Sequence, residues 1–392
     1  MNTKIVTCES VTSGHPDKLC DFISDSILDA CLEKDENSKV ACEVMATNKF
    51  VVIAGEITTN AVVDYKKIAK QAIEEVGYST KEYEFLEKVQ TQSLDIFNGV
   101  IKSYENREES STDEYSMQGA GDQGIMYGYA TNETKEFMPL PYVLSMKLTE
   151  KLTIVRKNNE IQGLLPDGKS QVSILYENDV PKYATSVIIS TQHYENVNLN
   201  ELREEILNKV IKPVLKNYVT DSTKVLINPS GRFVLGGVEA DTGLTGRKII
   251  VDTYGGVGRH GGGAFSGKDA SKVDRSGAYM ARYIAKNIVA SGLCDKCEVA
   301  ISYAIGKAEP TSVNIDTFFT GKVSDEIIKQ IVLQVFDLRP KAIIECLNLK
   351  QPIYKKTSVN GHFGKNEFAW EKTDKVEEIK NMIKIKNLQF KE

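Results

Sequence analysis

The chain has 392 residues, 41% hydrophobic and 26% charged, with a formal net charge of −5. That length is enough for two or three domains with separate cores, and without a basic excess nucleic acid is not an expected partner. No apolar run approaches membrane-spanning length, and Met1–Val6 leads into a strand-like segment rather than a leader, so a cytoplasmic chain with no membrane partner is expected.

Hydrophobic period orders the elements. Ile5–Cys8 reads as a strand. From Pro16 to Leu32, Leu19, Phe22, Ile23, Ile27, Ala30 and Cys31 trace one helical face, with Asp21, Asp25 and Asp29 opposite. Strands over Lys39–Thr47 and Phe50–Thr58 are joined by an Asn48-Lys49 turn, and a helix covers Val62–Val76. The order returns with strand Ile125–Ala130, helix Tyr142–Val155, strands Gln171–Tyr176 and Ala184–Thr191, and helix Leu199–Leu215. It returns again with strand Ile249–Thr253, helix Val273–Val289, strands Glu298–Ile305 and Ser312–Phe319, and helix Glu326–Phe336.

Three strand–helix–strand–strand–helix units predict an α+β fold of three similar domains in a pseudo-threefold arrangement. The expected boundaries are 1–100, 119–234 and 235–375, with a loop at 101–118 and a surface-helix tail at 376–392. Lys102–Met117 has five acids, two bases and almost no apolar content, so it is expected to bury little and to act as a mobile lid. Cys8, Cys20, Cys31, Cys42 and Cys346 read as buried free thiols. Cys294-Asp-Lys-Cys297 has the spacing of a redox or zinc half-site that nothing nearby completes.

The densest chemistry lies in Gly255–Asp269, with seven glycines beside Arg259, His260 and Lys268. Backbone N–H groups freed of Cβ crowding, together with cations, suit a polyanion such as a nucleoside triphosphate. Gly262–Lys268 has P-loop spacing, but Asp269 stands where the Mg²⁺-binding hydroxyl belongs. Gly119–Gly124 matches a dinucleotide fingerprint, but a polar loop precedes it and a strand follows, so that reading fails. Ser13–Lys18 sets His15, Asp17 and Lys18 at a helix start: a donor or cation for a leaving oxygen, a Mg²⁺ carboxylate and a phosphate partner. Asp167-Gly-Lys169 reads as a turn before a strand. Arg232-Phe233 pairs a cation with a ring that can stack on a base. With Lys169, Arg247, Lys248, Lys268 and Lys272, the turns hold enough cations for a triphosphate.

These motifs (Gly14-His-Pro-Asp-Lys18, Gly55–Thr59, Gly119–Gly124, Gly243–Lys248 and Arg259–Asp269) resemble the methionine adenosyltransferase (S-adenosylmethionine synthetase) family from about Lys4 to Lys375. The resemblance implies synthesis of S-adenosylmethionine from ATP and L-methionine by sulfur attack on ribose C5′, then hydrolysis of the triphosphate to phosphate and diphosphate. It implies two Mg²⁺ per site and K⁺, and homodimers with shared active sites that pair into homotetramers. It assigns catalysis to His15, Lys169 and Lys268. ATP falls to His15, Asp167, Lys169, Arg232, Phe233, Asp241, Arg247, Lys248, Ala264 and Lys268. Methionine falls to Glu56, Gln92, Asp241 and Lys272, with Ile305 packing nearby and Asp122 contacting substrate. Asp17 and Asp274 would bind Mg²⁺ and Glu43 K⁺. The chain departs from the family pattern at Leu94, where proline is usual, and at Glu239, which adds a charge near the methionine pocket. A kinase-like hydrolase releasing ADP, or a silent nucleotide-binding subunit, are the competing readings.

Overall fold

The computed structural model of the chain describes residues 2–93 and 102–389. Leu94–Ile96 and the first residue of the expected 101–118 loop lie outside them. The elements are β1 (Thr3–Val11), α1 (Pro16–Leu32), β2 (Lys39–Thr47), β3 (Phe50–Thr58), α2 (Tyr65–Val76), β4 (Glu84–Gln90), α3 (Tyr104–Arg107), β5 (Gly124–Thr131), α4 (Leu140–Lys157), β6 (Leu164–Glu177) and β7 (Val180–His193). There follow α5 (Leu199–Ile206), running through a π-turn into α6 (Lys212–Leu215), then β8 (Lys224–Ile227), β9 (Gly243–Leu244), α7 (Ile249–Asp252) and α8 (Val273–Ala290). Last come β10 (Lys296–Tyr303), β11 (Ser312–Asp316), α9 (Asp325–Val335), α10 (Pro340–Cys346) and α11 (Val376–Gln389).

The α+β class is borne out, and the repeat is visible as β1-α1-β2-β3-α2, β5-α4-β6-β7-α5 and β9-α8-β10-β11-α9. The strand that opens the third unit is Gly243–Leu244; Ile249–Asp252 is a short helix, correcting the strand expected there. Its apolar run is too short to distinguish the two by period. Each opening strand pairs outside its own unit. The sheets run β1-β6-β7-β8, β11-β10-β5 and β4-β3-β2-β9, so β1 pairs with β6, β5 with β10 and β9 with β2, all antiparallel.

Two hairpins share one turn chemistry. Asn48 and Lys49 join β2 to β3 with φ 43° and 63°, and Asn178 and Asp179 join β6 to β7 with φ 49° and 63°. Two consecutive left-handed residues match the right-handed twist of the flanking strands. Helices cover one face of each sheet: α1 packs on β2, α4 on β1 and β6, and α8 on β5 and β10. Where α8 meets β5, a Cβ on Gly128 would lie 2.0 Å from the Ala281 carbonyl carbon. In the central core, α4, α5 and the π-turn after it bury Leu148, Leu152, Ile206 and Ile211 against Val172, Ile174 and Val187.

By contacts the chain forms two compact units. One comprises Met1–Gln90, Pro139–Val257 and Pro352–His362; the other comprises Thr91–Met138, Gly258–Gln351 and Phe363–Glu392. In the first, every residue of α1 except Ala30 is buried. Asp21, Asp25 and Asp29 therefore do not form the solvent face that their spacing implied. Asp29 accepts the Tyr354 and Lys355 N–H groups at 2.9 and 2.8 Å.

In the second unit the polar segment after Lys102 forms α3 and a single 3-10 turn, Glu114–Ser116, burying Ser103, Glu105 and Ser116. Glu105 accepts the Ala308 N–H at 2.9 Å, and Arg339 reaches Asp113 at 3.1 Å. The segment thus buries more than its composition implied. Cys346 is exposed, correcting its expected burial, whereas Cys294 and Cys297 are both buried. Their mutual hydrogen bond and burial push the Cys297 thiol well up.

Gly128→Ala should cost about 1–3 kcal/mol, because the added methyl meets helix backbone rather than a flexible side chain. Urea unfolding checks this; an unchanged midpoint would contradict the close approach of α8 to β5.

Candidate active site

The candidate residues divide between the two units. In the first, α1 starts at Pro16 because His15 caps it: the ring Nδ1 accepts the Asp17 N–H at 3.2 Å. Gly14 lets this turn lie flat on β6, since a Cβ there would sit 2.3 Å from the Pro166 carbonyl carbon. With Nδ1 accepting, the ring proton belongs on Nε2. Burial, reinforced by the charges of Lys248 and Lys169, holds the His15 pKa down to about 3 from 6.5. His15 is therefore a neutral donor. The cationic alternative that the sequence left open does not describe this structure.

Within its first turn, α1 meets the Gly243–Lys248 segment. Asp17 accepts the Leu244 N–H at 3.0 Å and pairs with Lys248 at 2.7 Å and Arg247 at 3.3 Å. Burial alone would raise the Asp17 carboxyl, but Lys248 and the Leu244 N–H outweigh it and hold it below the usual carboxylate range. Lys18 is not a phosphate ligand. It is buried and pairs with Asp21 at 3.0 Å and Asp252 at 2.5 Å.

Asp167 and Lys169 lie within β6, not in a turn before it. Asp167 takes the Gly237 N–H on Oδ2 at 2.9 Å, while its buried Oδ1 has no hydrogen-bond partner among the described residues. Burial, opposed by Gly237 and Lys169, raises its pKa to about 6. Lys169 is exposed, as are Asp241 and Arg247. Arg232 turns outward to Glu195 at 2.5 Å, and Phe233 is held through its backbone by His193.

Glu43 and Glu56 share the helix-free face of their sheet. Glu43 stands opposite Ala54, and Glu56 opposite Ala41 and Gln90, whose Nε2 donates to it at 3.1 Å. They are diagonal neighbours on the pleat.

In the second unit, the glycine-rich segment runs against β5 and α8. A Cβ on Gly261 would lie 1.6 Å from the Ile125 carbonyl oxygen, and one on Gly263 2.1 Å from Asp274 Oδ1. Lys268 pairs with Asp274 at 2.6 Å, and Lys272 with Asp269 at 2.5 Å. His260 accepts the Gly262 N–H on Nδ1 at 2.8 Å and stacks on Phe265, with Ala264 between the two glycine turns. Arg259 is tied to Glu298 by its guanidinium at 2.7 Å and its N–H at 2.9 Å, so it serves the loop's shape. Asp122 is exposed at its turn, Ile305 is exposed beside Ala120, and Gln92 is half-buried.

Among the described residues no three His, Cys, Asp or Glu side chains gather into a metal cage. Asp17 and Asp274 each face a lysine instead. Mg²⁺ is usually held by one or two carboxylates plus substrate phosphates, and these two acids fit that habit. Sequence reasoning missed Asp21, although its spacing of four from Asp17 on a helix puts both on one face.

With this geometry in view, the likeness to known proteins is specific. Three S-adenosylmethionine synthetase domain models match in succession: the N-terminal domain over residues 3–98, the central domain over 117–233 and the C-terminal domain over 235–372. They define a three-part α+β enzyme chain. The S-adenosylmethionine synthase of Pseudothermotoga lettingae is 53% identical over 394 aligned positions, covering 97% of this chain and 100% of the relative. The chain belongs to the S-adenosylmethionine synthetase family, and S-adenosylmethionine synthase activity follows from that membership. No helix among the described residues is long and apolar enough to cross a membrane.

Nitrogen-15 spectra of the imidazole should show His15 neutral, with its proton on Nε2, from pH 8 down to about pH 4. The folded pKa lies below the unfolded 6.5, so the stability held above that value should fall as pH drops toward about 3. His15→Asn should remove this part of the acid sensitivity. A ring that protonates near pH 6.5 would contradict the buried, lysine-flanked site.

Proposed function

We propose that the chain joins ATP and L-methionine in one displacement. The methionine sulfur forms the S–C5′ bond with its lone pair, and the C5′–O bond breaks with its electron pair leaving on the triphosphate. No proton moves, so no general base is needed. The enzyme's task is alignment and stabilisation of the departing charge. The triphosphate is then hydrolysed to phosphate and diphosphate before release.

One observation carries this reading: both candidate Mg²⁺ carboxylates are already paired with candidate phosphate cations, Asp17 with Lys248 and Asp274 with Lys268. Mg²⁺–triphosphate is the ligand class that can satisfy both halves of such a pair, the metal taking the acid and the phosphate the lysine. When bound, the metal neutralises charge on the phosphates. His15 donates Nε2–H toward the leaving oxygen, aided by Lys169, and Arg247, Lys248 and Lys268 grip the chain of phosphates. Asp167 supplies an acceptor oxygen to the nucleoside, which Arg232, Phe233, Asp241 and Ala264 line.

We assign methionine to Glu56, Gln92, Asp241 and Lys272, with Ile305 and Asp122 beside it. Carboxylates close to the sulfur also favour the sulfonium cation that forms. Glu43 would hold K⁺. It is one exposed carboxylate, so the remaining ligands would be backbone, water or substrate oxygens. A second copy of the chain would complete each site. Support comes from the helix-free sheet face, where Met45, Val52 and Leu86 align across three strands beside Glu43 and Glu56. Leu86 is 50% exposed in the single chain. The homodimer, its pairing into a homotetramer and a cytoplasmic setting also rest on the family likeness.

Incubation with ATP, methionine, Mg²⁺ and K⁺ should yield a sulfonium product with both phosphate and diphosphate, and chelation of Mg²⁺ should abolish it. ADP as the product would overturn the reading. His15→Ala should lower kcat on the order of 100-fold, as loss of one leaving-group donor does, while ATP affinity shifts far less. Equal losses in both would reduce His15 to a binding residue.

A further inference from the structure

The acids of α1 do more than line the candidate site. Asp17 and Asp21, one helical turn apart, reach the same strip of backbone: Asp17 Oδ1 accepts the Leu244 N–H at 3.0 Å and Asp21 Oδ1 accepts the Gly246 N–H at 2.8 Å. The residue between them is held from the other side, since the Thr245 N–H donates to the Val44 carbonyl at 2.9 Å and Thr245 Oγ1 accepts the Val44 N–H at 3.0 Å. Gly246 has φ 80°, a left-handed conformation that turns the chain toward Arg247 and Lys248. The far side of these two cations is also fixed. Asp252 closes α7 at 4% exposure, and its carbonyl accepts the His362 N–H at 2.9 Å.

Lys18 joins the two ends. Its ammonium bonds Asp21 Oδ2 at 3.0 Å and Asp252 Oδ1 at 2.5 Å. Lys18, Asp21 and Asp252 are all buried, and the ammonium is taken up by the two carboxylates rather than offered to a ligand. Arg247 and Lys248 therefore sit on a short bridge whose two abutments are a buried carboxylate each, cross-tied by one buried ammonium.

We propose that the Asp21–Lys18–Asp252 triad is the positioning device for the Arg247–Lys248 dication and thereby sets the affinity of the site for a polyphosphate chain. The inference rests on the reading of Arg247 and Lys248 as triphosphate ligands. A triad that only supported the fold would affect all substrates alike. A triad that aims these two cations affects the polyphosphate ligand selectively, and its effect follows the hydrogen bond to Gly246 rather than bulk stability.

The test uses the full chain, with inorganic tripolyphosphate as the probe, read by inhibition and by calorimetry. Asp21→Ala removes the Gly246 acceptor. It should weaken tripolyphosphate binding and raise the ATP KM by about tenfold or more, while the methionine KM stays within about twofold. Asp21→Asn keeps the Gly246 acceptor but sets an amide N–H₂ against the Lys18 ammonium, so it should recover only part of the loss. Parallel rises in the ATP and methionine KM, or an unchanged tripolyphosphate affinity in folded Asp21→Ala, would overturn the proposal. Should Asp21→Ala fail to fold, Asp252→Ala gives the same reading from the other abutment by removing the acceptor of the Lys18 ammonium: weaker tripolyphosphate with unmoved methionine KM supports the device, and no change in either denies it. Wild-type chain that turns over both substrates yet ignores tripolyphosphate would instead deny the ligand assignment beneath it.

Discussion

A carboxylate facing a lysine recurs wherever the candidate chemistry is concentrated. Asp17 faces Lys248, Asp274 faces Lys268 and Asp269 faces Lys272, at 2.7, 2.6 and 2.5 Å. A partly buried cation left unpaired pays desolvation, and like charges beside it add repulsion. Pairing each with an acid keeps the ligand-free state neutral and ordered. The pairs are only partly buried at the lysine end, with side-chain exposures of 19% and 21% for Lys248 and Lys268. They can thus exchange partners without unfolding. The buried Lys18 triad has no such access, and its role is different for that reason.

Ordering these pairs depends on where backbone can come close to backbone. β9 has only two residues, yet Gly243 lets it meet the start of α1, since a Cβ there would lie 2.2 Å from the Pro16 carbonyl oxygen. That contact brings Leu244 to Asp17 and sends the following cations back over the helix start. In the second unit Gly261 and Gly263 do the same against Ile125 and Asp274. Pairing of β9 with β2 and of β5 with β10 supplies the frame. A strand opening one third of the chain is thus a fixture of another third's sheet, and its loop delivers residues far from their sequence neighbours.

Much of this was legible in the sequence because local rules and tertiary demands agree. Pro16 to Leu32 forms the helix that its apolar period outlines, and Lys39–Thr47 and Phe50–Thr58 end where Asn48 and Lys49 force a turn. The failures share a cause. Asp21, Asp25 and Asp29 read as a polar face because period cannot see a second layer folding over it; the Tyr354–Lys355 backbone and the Gly246 N–H convert that face into interior. Lys18 read as a ligand because its two buried acids are one turn and more than two hundred residues away. Asp167 read as a turn residue because Pro166 and Gly168 flank it, although β6 runs on through them with a register shift between Leu164 and Gly168. Lys102–Met117 read as burying little, since composition does not reveal that Glu105 is wanted by the Ala308 and Glu309 N–H groups.

The electrostatics around His15 bind these threads into one argument about timing. Burial comes first in keeping its ring neutral, then the fields of Lys248 and Lys169. Both are cations proposed to meet the triphosphate, Lys248 along its chain and Lys169 at the leaving oxygen, so an arriving anion would weaken the field that opposes imidazole charge. In the proposed displacement, negative charge growing on the leaving oxygen would strengthen a hydrogen bond from Nε2–H. A permanently charged imidazolium would bind ground-state ATP and departing triphosphate more nearly alike, which lowers KM without raising kcat. A neutral donor whose strength follows the developing charge acts mainly in the transition state. On the proposed reading, Lys248 would thus both meet the phosphates and, before they arrive, help burial hold His15 neutral.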